Sequence, residues 1–201
     1  MSLELLIGPM FAGKSSAIQS IVRRHRALGW SVYVVTHTID TRYSDEPAVV
    51  NHDRLKMPAV AADKLMHLRK NSEYLESRLI VIEEAQFFPD LIPFIQTAVD
   101  YDGKHAVVVG LDGDAERQPF GRILELIPLC DRVTKLTALC KQCSDGTAAL
   151  FTYDNNNSTE YSASTVQTHS LESQIHVGGE ERYSALCRKH FLSRKGLGVF
   201  T

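Results

Sequence analysis

The sequence has little that would place the protein in a membrane, outside the cell or in a disulfide scaffold. Its longest purely aliphatic stretch is Ala106 to Val109, far short of the roughly 18 apolar residues that a membrane helix needs. No basic segment precedes the first apolar run, so we expect no signal peptide, no membrane association and a cytoplasmic location. Four cysteines in 201 residues are too few for a disulfide framework.

The charge balance is nearly neutral. Lys and Arg number 22 against 24 Asp and Glu, which gives a formal net charge of −2. A protein that neutralises many phosphates of a polynucleotide is usually basic, so we expect no nucleic acid partner. One small anionic ligand needs only a local site and is compatible with this balance. Hydrophobic residues at 44% and charged residues at 23% are typical of a globular protein.

Short apolar runs recur along the first two thirds of the chain, without the strict alternation of a half-exposed strand. They lie at Leu3–Ile7, Val32–Thr36, Leu79–Ile82, Ala106–Leu111 and Arg132–Thr137. Such runs are typical of strands buried on both faces. The apolar spacing predicts helices over Lys14–Leu28, Ala62–Ser77 and Leu91–Tyr101. A strand, a helix and a strand form a βαβ unit, which predicts an α/β fold with a mainly parallel sheet and helices on both faces.

The segment between the first strand and the first helix matches the phosphate-loop pattern GxxxxGK[ST]. Its residues, which we assign to ATP and phosphate binding, are Gly8, Pro9, Met10, Phe11, Ala12, Gly13, Lys14 and Ser15. The glycines allow a tight turn whose N–H groups converge on one point, and the helix N-terminus adds positive dipole. Lys14 supplies a full charge for the phosphates, and the Ser15 hydroxyl is a ligand for Mg²⁺. We therefore predict a P-loop fold of the RecA-like kind that binds ATP with Mg²⁺.

Two carboxylates directly follow the apolar run Leu79–Ile82, namely those of Glu83 and Glu84. Ligands of a parallel sheet bind at the carboxyl ends of its strands, so both side chains are expected near the phosphates. We assign Glu83 to Mg²⁺, together with Ser15. We assign Glu84 to the catalytic base that takes a proton from an acceptor hydroxyl.

The last third of the chain is polar, rich in asparagine and poor in aliphatic residues. It carries two chelating pairs, Cys140-x-x-Cys143 and Cys187-x-x-His190. Each two-residue gap lets both side chains reach one ion, and four nitrogen and sulfur ligands suit a structural, tetrahedral Zn²⁺. We divide the chain into a P-loop α/β domain at 1–138, a zinc-binding lobe at 139–193 and a C-terminal tail at 194–201.

Further motif segments stand between and beyond these elements. They are Asp40-Thr-Arg-Tyr-Ser44, His52-Asp53, Val81-Ile-Glu-Glu-Ala-Gln-Phe-Phe88, Gly110-Leu-Asp-Gly113, Pro119-Phe-Gly121 and Val177-Gly-Gly-Glu-Glu-Arg-Tyr183, the last of which we call the lasso. Together with the phosphate loop and the two chelating pairs, they resemble the thymidine kinase family related to the cellular cytosolic enzyme, the type II kinases. The resemblance extends over nearly the whole chain.

This resemblance implies transfer of the γ-phosphoryl group of ATP to the 5′-hydroxyl of thymidine, in nucleoside salvage for DNA synthesis. It implies that Arg42 contacts the phosphates. It also implies a substrate pocket made by Met10, Phe87, Leu111, Ala115, His176, Val177, Gly178 and Tyr183. The lasso loop of the zinc lobe would close over the base. The resemblance also implies a homotetramer and inhibition by dTTP at the substrate site.

Three residues depart from the family pattern, and other interpretations stay open. Glu83 stands in place of an aspartate, Ala115 in place of a phenylalanine and His176 in place of an apolar residue. These changes bear on substrate range more than on reaction type. The alternatives are a kinase of the same fold with a broader or shifted pyrimidine preference (deoxyuridine), a P-loop ATPase whose zinc lobe binds nucleic acid, and a silent nucleotide-binding regulator.

Overall fold

A computed structural model describes residues 1–39, 48–50, 56–156, 178–179 and 181–196. Its strands are β1 (Ser2–Ile7), β2 (Val32–His37), β3 (Ala48–Val50), β4 (Lys56–Pro58), β5 (Val60–Ala62), β6 (Leu79–Ile82), β7 (His105–Gly110), β8 (Arg132–Lys135), β9 (Ala138–Leu139), β10 (Ala148–Ala149), β11 (Phe151–Asp154) and β12 (Tyr183–Leu186). Its helices are α1 (Lys14–Ala27), α2 (Ser72–Glu76), α3 (Leu91–Gln96) and α4 (Arg188–Arg194). Short 3₁₀ turns cover Met66–Lys70, Ala85–Phe87 and Ile123–Leu129.

The main sheet of the described residues has six strands in the order β5-β2-β6-β7-β1-β8. Every neighbouring pair in it is parallel. All five apolar runs that the sequence analysis interpreted as strands belong to it, so the predicted α/β fold with a mainly parallel sheet is confirmed. Because the strands are parallel, their carboxyl ends share one edge, where the phosphate loop follows β1 and the two glutamates follow β6.

Helices cover both faces of this sheet. Ile18 of α1 packs on one face in a cluster with Val81, whereas Phe94 of α3 packs on the other face with Ile82. Burial of apolar surface on both faces is the main stabilising contribution to this domain. The helix predicted over Leu91–Tyr101 is confirmed as α3 followed by a π-helical turn. No helix in the described ranges is long and apolar enough to cross a membrane.

The single helix predicted over Ala62–Ser77 is wrong, because this stretch divides into the end of β5, a 3₁₀ turn and the short α2. The Asp90 carboxylate accepts hydrogen bonds from the N–H groups of Leu65 and Met66 at 2.8–3.0 Å. Asn71 then adopts an extended backbone with ψ of 141°. These interruptions come from a residue distant in sequence and from one local dihedral angle, and apolar spacing detects neither.

The last described part of the chain forms a small lobe. It contains two antiparallel pairs of strands, β9 with β10 and β11 with β12, and the helix α4. Its buried cluster includes Tyr153, Leu186 and Phe191, and Phe11 and Ala12 of the phosphate loop pack against it. The lobe therefore contacts the phosphate loop directly. The boundaries drawn at 138 and 193 stay a prediction.

Candidate active site

The phosphate loop links β1 to α1, and two glycines give it its shape. A Cβ atom at Gly8 would lie 2.5 Å from the carbonyl oxygen of Leu136, so only glycine fits where the loop passes the end of β8. Gly13 has φ of 79° just before α1, a backbone conformation that glycine adopts readily. The N-terminal amides of α1 consequently lie at the loop, where a phosphate group is bound favourably.

Lys14 folds back over this loop. Its Nζ atom donates hydrogen bonds to the carbonyl oxygens of Gly8 at 3.1 Å and of Pro9 at 2.7 Å. The positive charge is therefore held at the loop itself. An ammonium group with rotatable donors can exchange these carbonyl oxygens for phosphate oxygens without moving its backbone.

The structure brings together Ser15 and Glu83, the two residues assigned to Mg²⁺. The Ser15 hydroxyl donates to Oε1 of Glu83 at 2.7 Å, and Glu83 is only 6% exposed. The hydroxyl lies in the first turn of α1, and the carboxylate follows β6. Hydroxyl and carboxylate oxygens are the hard donors that Mg²⁺ prefers. The residues present therefore fit this ion, although Glu83 is longer than the aspartate of the family pattern.

Glu84 lies at the same edge of the sheet but makes different contacts. Its backbone is left-handed, with φ of 53° and ψ of 40°, which is uncommon for a residue other than glycine. Its carbonyl accepts a hydrogen bond from the N–H of Phe87 at 3.1 Å, and its carboxylate accepts one from Nε2 of Gln86 at 2.5 Å. The chain thus turns immediately after β6, and the two adjacent glutamates have different partners: Ser15 for Glu83 and Gln86 for Glu84.

His37 is a residue near this site to which sequence reasoning gave no role. It ends β2, and its ring lies 5.6 Å from that of Phe87 and 4.8 Å from that of Phe88, between centroids. Burial lowers the pKa of His37, while the carboxylates of Asp63 and Glu84 act in the opposite direction. The sequence signal that could have identified His37 is its position at the carboxyl end of a predicted parallel strand, where ligands of such sheets bind.

The described residues expected around a nucleoside base come from separate segments that meet at this edge. The N–H of Met10 donates to Oγ1 of Thr152 in β11 at 3.0 Å, so the phosphate loop is hydrogen-bonded to the small lobe. Phe87 lies in the turn after Glu84, and Leu111 directly follows β7. Ala115 lies further along the loop after β7 and is partly buried.

The lasso is described only in part. Tyr183 is buried, begins β12 and pairs with Asp154 of β11. Gly178 lies close to Arg182, since a Cβ atom there would come within 2.9 Å of the arginine side chain. Some predicted site residues and motifs lie outside the described residues, namely Arg42, His176, Val177 and the segments 40–44 and 52–53.

The four residues predicted to bind zinc form one cluster. The ligand atoms of Cys140, Cys143, Cys187 and His190 all lie within 4.8 Å of one another. The sulfur atoms of Cys143 and Cys187 are 3.8 Å apart, and Nδ1 of His190 lies 3.3–3.5 Å from the three sulfur atoms. A tetrahedron with Zn–S bonds of about 2.3 Å and Zn–N bonds of about 2.0 Å has edges of roughly 3.8 and 3.5 Å. The cluster is compatible with a structural Zn²⁺.

The electrostatics of the cluster also favour a cation. Burial opposes ionisation of Cys140, but backbone N–H groups of Cys187, Cys143 and Gln142 donate to its sulfur and lower its pKa to about 6. Burial raises the pKa of Cys143 to about 11, and the nearby sulfur atoms of Cys140 and Cys187 add to this increase. The fold thus stabilises one thiolate and disfavours a second. A divalent cation removes this conflict, because it deprotonates thiols that coordinate it.

The small lobe, together with Lys195 just after it, also contacts the loop that follows β7 and carries Ala115. The guanidinium group of Arg117 lies over the rings of Phe151 and Phe191, at 5.5 and 5.0 Å from their centroids. Nζ of Lys195 donates to Oε1 of Glu116 at 2.5 Å, and the Lys195 side chain is 1% exposed. Two segments of the site, the phosphate loop and this loop, therefore rest on the lobe.

A phosphate loop before a helix, a hydroxyl–carboxylate pair and a second carboxylate at one edge of a parallel sheet define a nucleotide-binding protein of the P-loop class. The thymidine kinase family model matches residues 1–191 of the chain. The chain therefore belongs to the thymidine kinase family and is a phosphotransferase.

Individual relatives agree with this assignment. Thymidine kinase a of Arabidopsis thaliana is 36% identical over 195 residues, covering 96% of this chain and 75% of that protein. The cytosolic thymidine kinase of Homo sapiens is 36% identical over 186 residues, covering 92% of this chain and 71% of that protein. The thymidine kinase of Myxoma virus (strain Uriarra) is 36% identical over 187 residues, covering 93% of this chain and 94% of that protein.

Proposed function

We propose that this chain transfers the γ-phosphoryl group of ATP to the 5′-hydroxyl of thymidine. The observation that carries the proposal is the convergence of the phosphate loop, the Ser15–Glu83 pair and Glu84 at one sheet edge. The choice of thymidine as the nucleoside substrate comes from membership of the thymidine kinase family. The comparisons do not favour the alternatives of a deoxyuridine-preferring kinase or a nucleic-acid-binding ATPase.

The reaction assigns a separate task to each side chain. Glu84 accepts the proton of the 5′-hydroxyl while that oxygen bonds to the γ-phosphorus, and the bond from this phosphorus to the β–γ bridging oxygen breaks, releasing ADP. Lys14 and the loop amides bind the phosphate oxygens. Ser15 and Glu83 would hold Mg²⁺, which when bound neutralises charge on the β- and γ-phosphates. Met10, Phe87, Leu111 and Ala115, with the lasso, would enclose the thymine ring.

We also propose, from family membership, a homotetramer, inhibition by dTTP, a cytoplasmic location and a role in nucleoside salvage for DNA synthesis. The human relative is named as cytosolic. Light scattering measures the mass of the assembly, and titration of dTTP against thymidine turnover measures the inhibition.

A phosphorylation assay across the natural deoxynucleosides tests the function. The zinc-loaded chain is incubated with ATP, Mg²⁺ and thymidine, deoxyuridine, deoxycytidine, deoxyadenosine or deoxyguanosine, and products are identified by mass spectrometry. We expect thymidine 5′-monophosphate and ADP in equal amounts, with the highest kcat/KM for thymidine. A higher kcat/KM for deoxyuridine would show that deoxyuridine, not thymidine, is the preferred substrate. ATP hydrolysis that only DNA stimulates would show that the protein is a nucleic-acid-dependent ATPase. Thymidine-independent ADP release, or none, would contradict the function.

A further inference from the structure

Gln86 is buried between three motif segments of the site, and no role has yet been given to it. It is 1% exposed and lies in the turn that follows Glu84. Its Nε2 atom donates to Oε2 of Glu84 at 2.5 Å, and its Oε1 atom accepts a hydrogen bond from the N–H of Leu111 at 3.0 Å. One amide side chain therefore joins the carboxylate after β6 to the backbone after β7.

The orientation of this amide follows from its partners. A backbone N–H can only donate, so the oxygen of the Gln86 amide must face Leu111. The NH₂ group then faces Glu84, whose ionised carboxylate can only accept. A hydrogen bond to a charged acceptor is stronger than one between neutral groups, so this contact restrains the carboxylate effectively.

Two motif glycines leave room for Gln86. A Cβ atom at Gly110 would lie 2.3 Å from the side-chain Oε1 of Gln86. A Cβ atom at Gly121 would lie 2.0 Å from the backbone carbonyl oxygen of Gln86. Both distances are too short for any side chain, so alanine at either place would displace Gln86. The side chain of Gln86 thus explains the glycine at 110, and the backbone of the same residue explains the glycine at 121.

The backbone of Glu84 gives a reason for such a restraint. A left-handed conformation costs energy for a residue other than glycine and persists where the surroundings over-determine it. The turn Ala85–Phe87 fixes the backbone on one side of Glu84, and the amide of Gln86 holds the carboxylate at the other end of the side chain.

We propose that Gln86 is a positioning residue that holds the Glu84 carboxylate and the Leu111 wall of the nucleoside pocket in one geometry. The proposal rests on the proposed function, in which Glu84 takes the proton of the 5′-hydroxyl. A proton acceptor must lie within hydrogen-bond reach of that hydroxyl, and a small misplacement is costly. Gln86 links the Glu84 carboxylate to the backbone of Leu111, which lines the nucleoside pocket. The distance between the proton acceptor and the pocket wall therefore stays constant during turnover.

Two substitutions separate the two hydrogen bonds. Gln86→Glu keeps an oxygen that accepts from Leu111 but replaces the amide donor to Glu84 with a second carboxyl group, which affects that carboxylate through charge as well as position. Gln86→Met keeps the length of the side chain, adds no charge and removes both hydrogen bonds. Gln96→Glu, at an exposed position of α3, is the matched control. We expect Gln86→Glu to lower kcat about 10- to 100-fold, with KM for ATP within about twofold of the wild type. We expect Gln86→Met to lower kcat and also to raise KM for thymidine, because Leu111 loses its acceptor.

A double-mutant cycle tests whether Gln86 acts through Glu84. If it does, the uncharged variant Gln86→Met lowers kcat in the wild-type background and changes it by less than about twofold in the Glu84→Gln background. A merely structural role would lower kcat by the same factor in both backgrounds. Equal factors, or a kcat of Gln86→Met within about twofold of the wild type, would overturn the proposal.

Crystal structures make the proposal testable independently of the proposed function. If the wild type fails to phosphorylate thymidine, the function is rejected, and the structures of Gln86→Glu and Gln86→Met decide the positioning role. A Glu84 carboxylate displaced from its wild-type position in these variants supports the role. An unchanged carboxylate and an unchanged Leu111 backbone reject it.

Discussion

The sheet domain and the zinc lobe are stabilised in different ways. The sheet buries apolar residues on both faces under helices, so its edge is held by a continuous core. The part of the lobe that the structure describes has short strand pairs, one helix and a small buried cluster, with the four candidate metal ligands close together. A small core contributes less to stability, and a metal site can supply the difference. We therefore expect the phosphate-binding side to depend on packing and the lasso side to depend on metal.

The two regions are nevertheless not independent. The lobe accepts a hydrogen bond from the phosphate loop at Thr152, and its buried cluster packs on Phe11. The same lobe holds the loop of Ala115 through Arg117. We expect the dependence to run in one direction: without the lobe, the sheet should keep its core, while the loops at its edge should lose contacts. The predictions below test this asymmetry.

The largest effect is expected inside the sheet domain, from Glu84→Gln. Removing the proton acceptor should lower kcat on the order of 10²-fold or more, while the affinity for ATP stays within about twofold, because the phosphate loop is unchanged. Steady-state kinetics and calorimetric titration with ATP measure the two quantities. Glu73→Gln, at an exposed position of α2, is the control. Turnover equal to that of the wild type would remove Glu84 from the role of base.

The next largest effect is expected from disrupting the metal cluster by Cys143→Ser. We expect loss of bound zinc and faster hydrogen exchange in β11 and β12, by on the order of 10-fold or more, with little change in β1 and β7. KM for thymidine should rise most and KM for ATP less, since the lobe contacts both sites. Metal analysis, hydrogen-exchange mass spectrometry and kinetics measure these quantities.

The control for this substitution is Cys130→Ser, because Cys130 lies outside the cluster of four ligands. It should leave zinc content and lobe exchange unchanged. Unaltered zinc content in Cys143→Ser would contradict the ligand assignment. Equal exchange increases in the lobe and in the sheet would contradict the one-directional dependence.

The sheet domain was largely predictable from sequence, and its local motifs explain why. The apolar runs and the pattern around Lys14 are continuous in sequence, so they predict the strands, α1 and the phosphate loop. The spacing of the two chelating pairs likewise predicts the metal cluster. These features depend on residues that are neighbours in the chain, or on chemistry that few residue types provide.

Contacts between distant segments were not predictable in this way. The interruption of the helix predicted over Ala62–Ser77 depends on the Asp90 carboxylate, which apolar spacing cannot reveal. The link between Met10 and Thr152 and the place of His37 beside Phe88 depend on three-dimensional packing. The sequence predicts candidate residues for the site, but not the distant residues whose contacts hold those candidates in place.

The contact between lobe and phosphate loop is tested by Thr152→Val. This change keeps the shape of the side chain and removes the acceptor for the N–H of Met10, which costs about 1 kcal/mol or somewhat more. We expect the affinity for ATP to fall about 3- to 10-fold, with zinc content unchanged. Thr97→Val, whose hydroxyl donates within a helix to the carbonyl of Pro93, is the matched control. An ATP dissociation constant equal to the wild-type value would show that the loop does not depend on the lobe.

The smallest effect is expected from His37→Gln, as a change in the pH dependence of stability. The pKa of His37 is lowered in the fold mainly by burial, against about 6.5 in an unfolded chain. The unfolded chain therefore binds more protons as the pH falls through this range, and the slope of one such group is at most about 1.4 kcal/mol per pH unit. The contribution of His37 to the free energy of unfolding is fully present above pH of about 6.5 and is lost as the pH falls through the lowered pKa.

Denaturant unfolding of wild type and His37→Gln between pH 5 and 8 measures this contribution as a difference. Because both proteins share the cluster of Cys140, Cys143, Cys187 and His190, the contribution of the cluster cancels in the difference. We expect the free energy of unfolding of the wild type to decline relative to that of the variant as the pH falls. A difference that does not vary with pH would show that His37 titrates alike in the folded and unfolded chain, and that the sheet edge imposes no electrostatic cost on it.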